Sequence, residues 1–218
     1  MKGSKSLLQK IVLIVLILVG GIAFFWLVIV RILAKLSSGE PCPYALAWLV
    51  DNPLRHRYMG PLLDRVGIQP GEQVLELGPG PGAFTVEAAR RTEPGGSLVT
   101  VDIQPQMIAE VERKVREAGL TNVEPHVASA YDLPLEDESA DRAFLVTVLP
   151  EIPDRQRALA ELRRVLKPDG VLSITEEFMD PDYPLARTTI RWAEKAGFEL
   201  AERHGNWWVY TLNFRKTV

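Results

Sequence analysis

The sequence predicts an α/β domain with a doubly wound, mostly parallel sheet, preceded by one transmembrane helix. Three observations carry that expectation. An apolar run without a charge, Ile11 to Val30, stands near the start of the chain. From Gln73 onward, short β-rich runs alternate with helical ones. A glycine-rich turn, Gly78-Pro79-Gly80-Pro81-Gly82, falls between the first of those strands and the first of those helices. The seven strand-like runs and the short final connection predict a Rossmann-like sheet closed by a C-terminal antiparallel hairpin.

The apolar run holds twenty residues, and at about 1.5 Å per residue it reaches about 30 Å, the hydrocarbon thickness of a bilayer. A helix satisfies its own backbone groups, so such a run can cross lipid, and Gly20-Gly21 is tolerable there. Lys2, Lys5 and Lys10 precede it, and Arg31 and Lys35 follow. A cleaved signal peptide and a buried core helix are the competing readings. The run is long for a signal peptide, and the small-x-small pattern around Ala34-Lys35-Leu36 is weak. Residues 1–36 are therefore expected to be a retained anchor. They hold five of the 25 Lys and Arg and none of the 28 acids, which leaves the rest with 20 basic against 28 acidic residues, a net of −8. A domain that acidic is a poor binder of nucleic acid, whose affinity rests on neutralised phosphates. One cysteine, Cys42, permits no internal disulfide.

Residues 37–70 read as a juxtamembrane connector and substrate-side cover. Ser37-Ser38-Gly39 and Pro41-Cys42-Pro43 break the membrane helix, Tyr44 to Val50 is short and apolar, and Leu54 to Val66 reads as a helix kinked near Pro61. Tyr44, Trp48 and Tyr58 beside Arg55 and Arg57 suit a bilayer interface, or equally a helix packed on the domain.

Residues 71–218 form the predicted domain. Gln73–Leu77 is the first strand, Ala83–Arg91 a helix and Ser97–Val101 the second strand. Pro105–Ala118 is a helix with Met107, Ile108, Val111 and Val115 on one face and Gly119 as its stop. Asn122–Ala128 is the third strand. Asp141–Val148 is the fourth, apolar on both faces as a central parallel strand should be. A helix over Asp154–Leu166 ends at Lys167-Pro168-Asp169-Gly170, before a fifth strand over Val171–Glu176. Leu185–Ala196 is the last helix. Phe198–Arg203 and Trp207–Phe214 are joined only by His204-Gly205-Asn206, which permits a hairpin and forbids a parallel crossover.

Glycines let the turn after the first strand tighten and let a ligand approach the main chain, and the following helix offers free N–H groups. Asp102 ends the second strand twenty residues after Gly82, where a carboxylate can accept from both ribose hydroxyls of an adenosine-bearing ligand. Gly78, Gly80 and Ala83 also fit the dinucleotide pattern, so the loop alone does not separate S-adenosylmethionine (SAM) from NAD.

The stretch from Gln73 to Glu176 resembles the class I SAM-dependent methyltransferases, most closely the branch with ubiquinone/menaquinone and small-molecule methyltransferases. Glu76-x-Gly78-x-Gly80-x-Gly82 looks like that family's first motif and Val101-Asp102-Ile103 like its second. Leu133 to Asp141 and Leu162 to Gly170 are similar to its approaches to strands four and five. The resemblance implies that Gly78, Gly80 and Gly82 line the methionine half of SAM, with Glu76 ordering that loop or the bound amino group. It implies Asp102 on the ribose and Ile103 on the adenine. Ser129-Ala130-Tyr131 aligns with the third motif, where Ser129 replaces an acid that often meets the adenine amino group.

Methyl transfer from a sulfonium needs alignment and exclusion of water more than a fixed set of catalytic groups. Thr147 to Ile152 stands where the acceptor should lie, and it is not the Asn/Asp-Pro-Pro-aromatic signature of members that methylate nucleic-acid amino groups. Glu151 is the candidate base or head-group ligand, with Tyr183, His56 and Tyr58 as further candidates for the pocket. His126 and His204 read as structural, and the three His and one Cys have no metal-ligand spacing. The expected activity is methyl transfer to a small lipophilic acceptor: a quinone precursor, a lipid amine, a thiol or a phenol. The bilayer is the expected partner, and neither nucleic acid nor metal is expected. The Lys and Arg counts flanking the span are nearly balanced, so the charge rule leaves the topology open. The cytoplasmic supply of SAM favours a catalytic domain on the cytoplasmic side. A tethered SAM-binding module without catalysis and an NAD-dependent oxidoreductase are the alternatives. Nothing after Asp141 resembles a reductase's Tyr-x-x-x-Lys pair.

Overall fold

The computed structural model describes residues 2–32 and 41–217. The chain divides into two compact units, Met1–Ser38 and Gly39–Val218. The first contains helix α1 (Lys2–Phe24), which runs on as a wider π-helical turn over Phe25–Val30. Its 23 residues span about 34 Å at 1.5 Å each. Leu7–Phe24 has a mean hydropathy of 2.6 and none of it is buried. Lys35 and the expected break at Ser37-Ser38-Gly39 lie outside the described residues.

The second unit is built on one seven-stranded sheet in the order β3-β2-β1-β4-β5-β7-β6. The strands are β1 (Gln73–Leu77), β2 (Ser97–Asp102), β3 (Val123–Val127), β4 (Ala140–Val146), β5 (Leu166–Glu177), β6 (Phe198–Gly205) and β7 (Val209–Lys216). β1 to β5 pair in parallel. β7 runs antiparallel between β5 and β6. Chain order reverses between β1 and β4, which opens a crevice at the carboxyl ends of those strands, where doubly wound sheets bind ligands.

The connector holds three short helices: α2 (Ala47–Val50), α3 (Pro53–Met59) and α4 (Leu62–Val66). In the domain proper α5 (Thr85–Thr92), α6 (Pro105–Glu117), α7 (Arg155–Val165) and α8 (Ala186–Lys195) cover the sheet. The expected kinked helix over residues 54–66 is thus two helices, separated by Gly60 at φ 54° and Pro61. The Asn52 side chain starts α3 by accepting from the Arg55 N–H at 3.0 Å. On α6, Pro105 takes the first turn and Met107, Ile108, Val111 and Val115 are buried, as their spacing predicts.

Two boundaries differ from expectation. Lys167–Gly170 is part of β5: Leu166 faces Ala140 and Val171 faces Arg142, so the four residues between loop out as a bulge, tied down by Lys167 Nζ on Asp141 Oδ1 at 2.6 Å. β7 begins at Val209 because Asn206 Oδ1 accepts from the Trp208 and Val209 N–H groups at 2.8 and 3.3 Å, which holds Trp207 and Trp208 in the turn.

The core lies on both faces of the sheet. One cluster centres on Leu75, Leu145, Leu159, Leu172 and Phe214. The other joins Met59, Leu62, Leu63 and Val66 to Val74, Leu98 and Phe144. Helices α3 and α4 are therefore core elements of the domain. Exposed Trp48, Leu49 and Leu54 are the connector's outward apolar groups. Leu62→Ala should accordingly destabilise the Gly39–Val218 unit by about 2–5 kcal/mol, whereas Trp48→Ala should stay within about 0.5 kcal/mol. Urea denaturation of both variants checks this.

Candidate active site

β1 carries four buried residues, Val74 to Leu77, to the crevice and stops where the glycine turn begins. Gly78 adopts φ 71°, and a Cβ there would stand 2.4 Å from a Val148 methyl carbon. Its N–H donates to the Val101 carbonyl at 2.8 Å. Only glycine meets these conditions, so the main chain of β1, β2 and the segment after β4 converges on one point. Gly82 stands behind this turn against Val111 and Lys114 of α6, so it seats the loop on its helix.

A cavity of about 240 Å³ opens in front. Gly78, Gly80, Asp102, Ile103, Ser129, Ala130, Tyr131 and Glu151 line it together with Pro41, Cys42 and Val50 of the connector. Asp102 Oδ1 accepts from the Gln104 N–H at 2.9 Å and Oδ2 from the Gly80 N–H at 3.3 Å. A carboxylate has about four lone-pair sites, so Asp102 retains acceptor capacity toward the cavity. Ile103, 60% exposed, offers an open apolar face beside it. This donor and acceptor set, with its close backbone approach, fits an adenosine-bearing ligand such as SAM.

Glu76 is 3% exposed and does not reach the wall. Its Oε2 accepts from the Thr85 hydroxyl at 2.6 Å, which ties β1 to the first turn of α5 and holds the loop between them. Burial, partly offset by that bond, lifts its carboxyl to about 7. Tyr131 accepts from the Asp154 N–H at 3.0 Å through its hydroxyl, and the Arg157 guanidinium stands 4.9 Å from its ring centre. Ser129 Oγ accepts from the Tyr131 N–H at 3.2 Å.

At the other end Glu151 lines the cavity and accepts from the Cys42 N–H at 3.3 Å. Burial and the neighbouring Asp180 charge push its carboxyl up to about 8. Asp180 itself rises to about 7 through burial. Burial and Glu151 lift the Cys42 thiol to about 11, so it stays protonated at neutral pH.

Arg55 and Glu177 bind the cover to the sheet. Arg55 is 4% exposed, and its Nε meets Glu177 Oε1 at 2.6 Å. Its Nη1 donates to the Val50 carbonyl at 2.7 Å and its Nη2 to Thr147 Oγ1 at 3.4 Å. The Tyr58 hydroxyl donates to Glu177 Oε2 at 2.5 Å, and burial together with that bond raises its pKa. Thr147 holds φ 57°, a strained conformation for a β-branched residue, at the end of β4 beside this clamp.

The four acceptor-side candidates thus separate. Glu151 reaches the cavity. Tyr58 stands behind it on Glu177. His56 is exposed, edge-on to Phe84, and bonds Asp51 Oδ1 at 2.7 Å, while Lys114 of α6 takes the other oxygen of that carboxylate, so His56 belongs to a clasp between connector and α6. Tyr183 donates to the Trp207 carbonyl at 2.6 Å and joins an aromatic cluster with Phe178 and Tyr210. Sequence reasoning missed Arg55, Glu177, Glu176 and Asp180 as site groups. The available signal was Glu176-Glu177, a carboxylate pair at the end of a buried central strand.

Comparison with known proteins agrees with this geometry. The Methyltransferase domain family matches residues 75–174. The ubiquinone/menaquinone biosynthesis C-methyltransferase UbiE of Pasteurella multocida is 33% identical over 123 residues, 55% of this chain and 46% of that one. The arsenite methyltransferase of Halobacterium salinarum is 33% identical over 115 residues, 53% and 29%. The match spans less than half the length of either relative. Among solved structures, a SAM-dependent methyltransferase from Aquifex aeolicus superimposes with a TM-score of 0.76 at 22% identity, over 81% of this chain and all of that one.

Two predictions follow from the geometry. Gly78→Ala forces strain of about 1–3 kcal/mol at a positive φ, and it should weaken binding of S-adenosylhomocysteine at least about tenfold in calorimetric titration. Glu76, Glu151, Glu176 and Asp180 all hold their protons more tightly folded than unfolded. Their contribution to stability is therefore complete below their usual values near pH 4 and lost as pH rises through about 7 to 8. Glu161, held low by Arg164, acts in the opposite sense at acid pH. The melting temperature should peak near pH 4–5 and fall by about 4 °C or more by pH 8.5. Glu151→Gln should flatten that fall.

Proposed function

We propose that this chain, which belongs to the class I SAM-dependent methyltransferases, moves a methyl group from SAM to a small lipophilic acceptor at a membrane surface. The observation that carries the reading is the cavity where the glycine turn, Asp102 and Glu151 meet under a cover supplied by the connector. SAM supplies an activated methyl group on a sulfonium. The chain's own work is to hold and to exclude. Gly78 and Gly80 present main chain to the donor's amino-acid end, Asp102 accepts from its ribose, and Ile103 and Ala130 flank its adenine. Tyr131 and Ser129 close that end of the cavity. Pro41, Cys42 and Val50 keep water from the reacting groups. Glu151, with a carboxyl near 8, is poised at neutral pH to take a proton from an acceptor or to hold its polar head.

The lipophilic part of the proposal rests on the connector. A helix apolar enough to span a bilayer, Leu7–Phe24, precedes it, and the segment that covers the cavity exposes Trp48, Leu49 and Leu54. Large apolar and aromatic side chains of that kind settle at the headgroup level of a membrane. UbiE, by its name, acts in quinone biosynthesis, which is consistent with a membrane-borne acceptor. The donor is made in the cytoplasm, so the catalytic unit faces that side.

The test uses the full chain in vesicles of source-membrane lipid extract with methyl-labelled SAM, followed by separation of organic and aqueous phases. Label should enter the organic phase. A variant lacking residues 1–36 should bind S-adenosylhomocysteine within about twofold of the full chain and lose about tenfold or more of that turnover, by the effective-concentration effect of tethering. Label confined to the aqueous phase, or turnover unchanged by the truncation, refutes the membrane-borne acceptor.

A further inference from the structure

We propose that the acidic cluster around Glu151 is an amine site: Glu151, which lines the cavity, together with Asp180 and the buried Glu176 and Tyr210, receives the ammonium group of a lipophilic primary or secondary amine, which is the methyl acceptor. This rests on the methyltransferase reading above and names the acceptor class for it.

Glu176 is the starting observation. It is fully buried, and neither carboxyl oxygen has a hydrogen-bond partner among the described residues. A buried carboxyl left alone costs several times what a made bond contributes, so the site is built to be completed by something else. Among the described residues no cation completes it. Arg155, which faces Glu176, donates instead to the Leu149 carbonyl at 3.1 Å and to the Pro150 carbonyl. Arg55, which faces Asp180, is held by Glu177, Val50 and Thr147.

The groups around Glu176 come from several elements and share one sign. Asp180 and Glu177 follow along its own segment, and Glu151 faces it from the turn after β4. Asp182 and Asp102 add their fields to Glu151, whose backbone donor is Cys42. Tyr210 pairs with Glu176 directly across β5 and β7, its hydroxyl bonded to Thr189 at 2.8 Å and to the Pro184 carbonyl at 3.0 Å. Carboxylates that repel one another are matched by a positive charge carrying several N–H donors. A phenol or thiol brings one donor and no charge, and a carbon nucleophile brings neither. An ammonium brings three donors, and its cation also suits the aromatic wall. Phe178, Tyr183, Trp207 and Trp208 continue that wall from Tyr210 to exposed Trp207, a path for an apolar tail.

The chemistry balances. A carboxylate of the set takes one proton from the ammonium and leaves a neutral amine with a free lone pair. That lone pair forms the new N–C bond as the methyl's bond to sulfur breaks, and its electron pair stays on sulfur. The product is the methylated ammonium, neutral thioether and one protonated carboxyl, which then returns its proton to water.

The test is calorimetric titration of the full chain, saturated with S-adenosylhomocysteine, with n-hexylamine and with 1-hexanol as its uncharged twin. Hexylamine should bind at least about tenfold more tightly than hexanol. Its affinity should rise about fivefold or more from pH 6 to 8.5, as the carboxyls ionise while the amine stays charged. Glu176→Gln should weaken hexylamine about tenfold or more, keep S-adenosylhomocysteine binding within about twofold, and raise the melting temperature at pH 8. Should that variant fail to fold, Asp180→Asn serves for the same comparison. Methyl-labelled SAM should label hexylamine and not hexanol. Equal affinity for the two probes, or hexylamine binding untouched by the Glu176 or Asp180 variant, overturns the amine site while retained S-adenosylhomocysteine binding leaves the methyltransferase reading standing. Failure of S-adenosylhomocysteine to bind the wild-type chain overturns both.

Discussion

The ion pair between Arg55 and Glu177 is the constraint on which the site depends. Both side chains are nearly inaccessible, and their contact at 2.6 Å joins the connector to the end of the central strand β5. A buried pair of this kind repays its desolvation only when the remaining donors and acceptors are satisfied. Here they are: Arg55 reaches the Val50 carbonyl and Thr147, and Glu177 takes the Tyr58 hydroxyl. The Val50 contact has a functional effect, since Val50 is a wall of the cavity. The same guanidinium that closes the pair therefore fixes the cover. The strained φ of Thr147 lies within this network, where the surrounding bonds over-determine it.

The donor side was legible in the sequence because its chemistry is carried by the main chain and by one acid. The glycine turn and Asp102 could be picked out from residue type and spacing as a site for an adenosine-bearing ligand, while the role of Glu76 came from the family resemblance. The structure refines roles within that set. Gly78 and Gly80 face the cavity, while Gly82 and Glu76 act one layer behind, on α6 and α5. The sheet was legible because apolar, β-rich runs mark its central strands: β1, β4, β5 and β7 are buried along continuous stretches, as strands covered on both faces are. Its errors fell where a side chain overrode the pattern, at Asn206 before β7 and at the bulge held by Lys167.

The acceptor side was hidden because its groups are brought together across large separations. Arg55 and Glu177 stand 122 residues apart, and Cys42 and Glu151 stand 109 apart. Tyr58 and Arg55 suited a bilayer interface as well as they suit a buried clamp, and only packing decides between them. α3 and α4 bury Met59, Leu62 and Val66 in the sheet's core, which turns Arg55 inward, while exposed Trp48 and Leu54 remain on the outer surface.

The two ends of the cavity also differ in how they use charge. On the donor side burial raises the Asp102 carboxyl, and two backbone N–H groups partly offset that by bonding its charged form. On the acceptor side burial lifts the proton affinity of Glu151, Asp180 and Glu176, the Asp180 charge lifts the other two further, and among the described residues only Glu151 has a long-range backbone donor, at 3.3 Å. Groups held that way change charge readily at neutral pH, and they do so in response to whatever enters. An entering cation ionises them and an uncharged molecule does not. That property separates acceptors by charge before any contact with the methyl group.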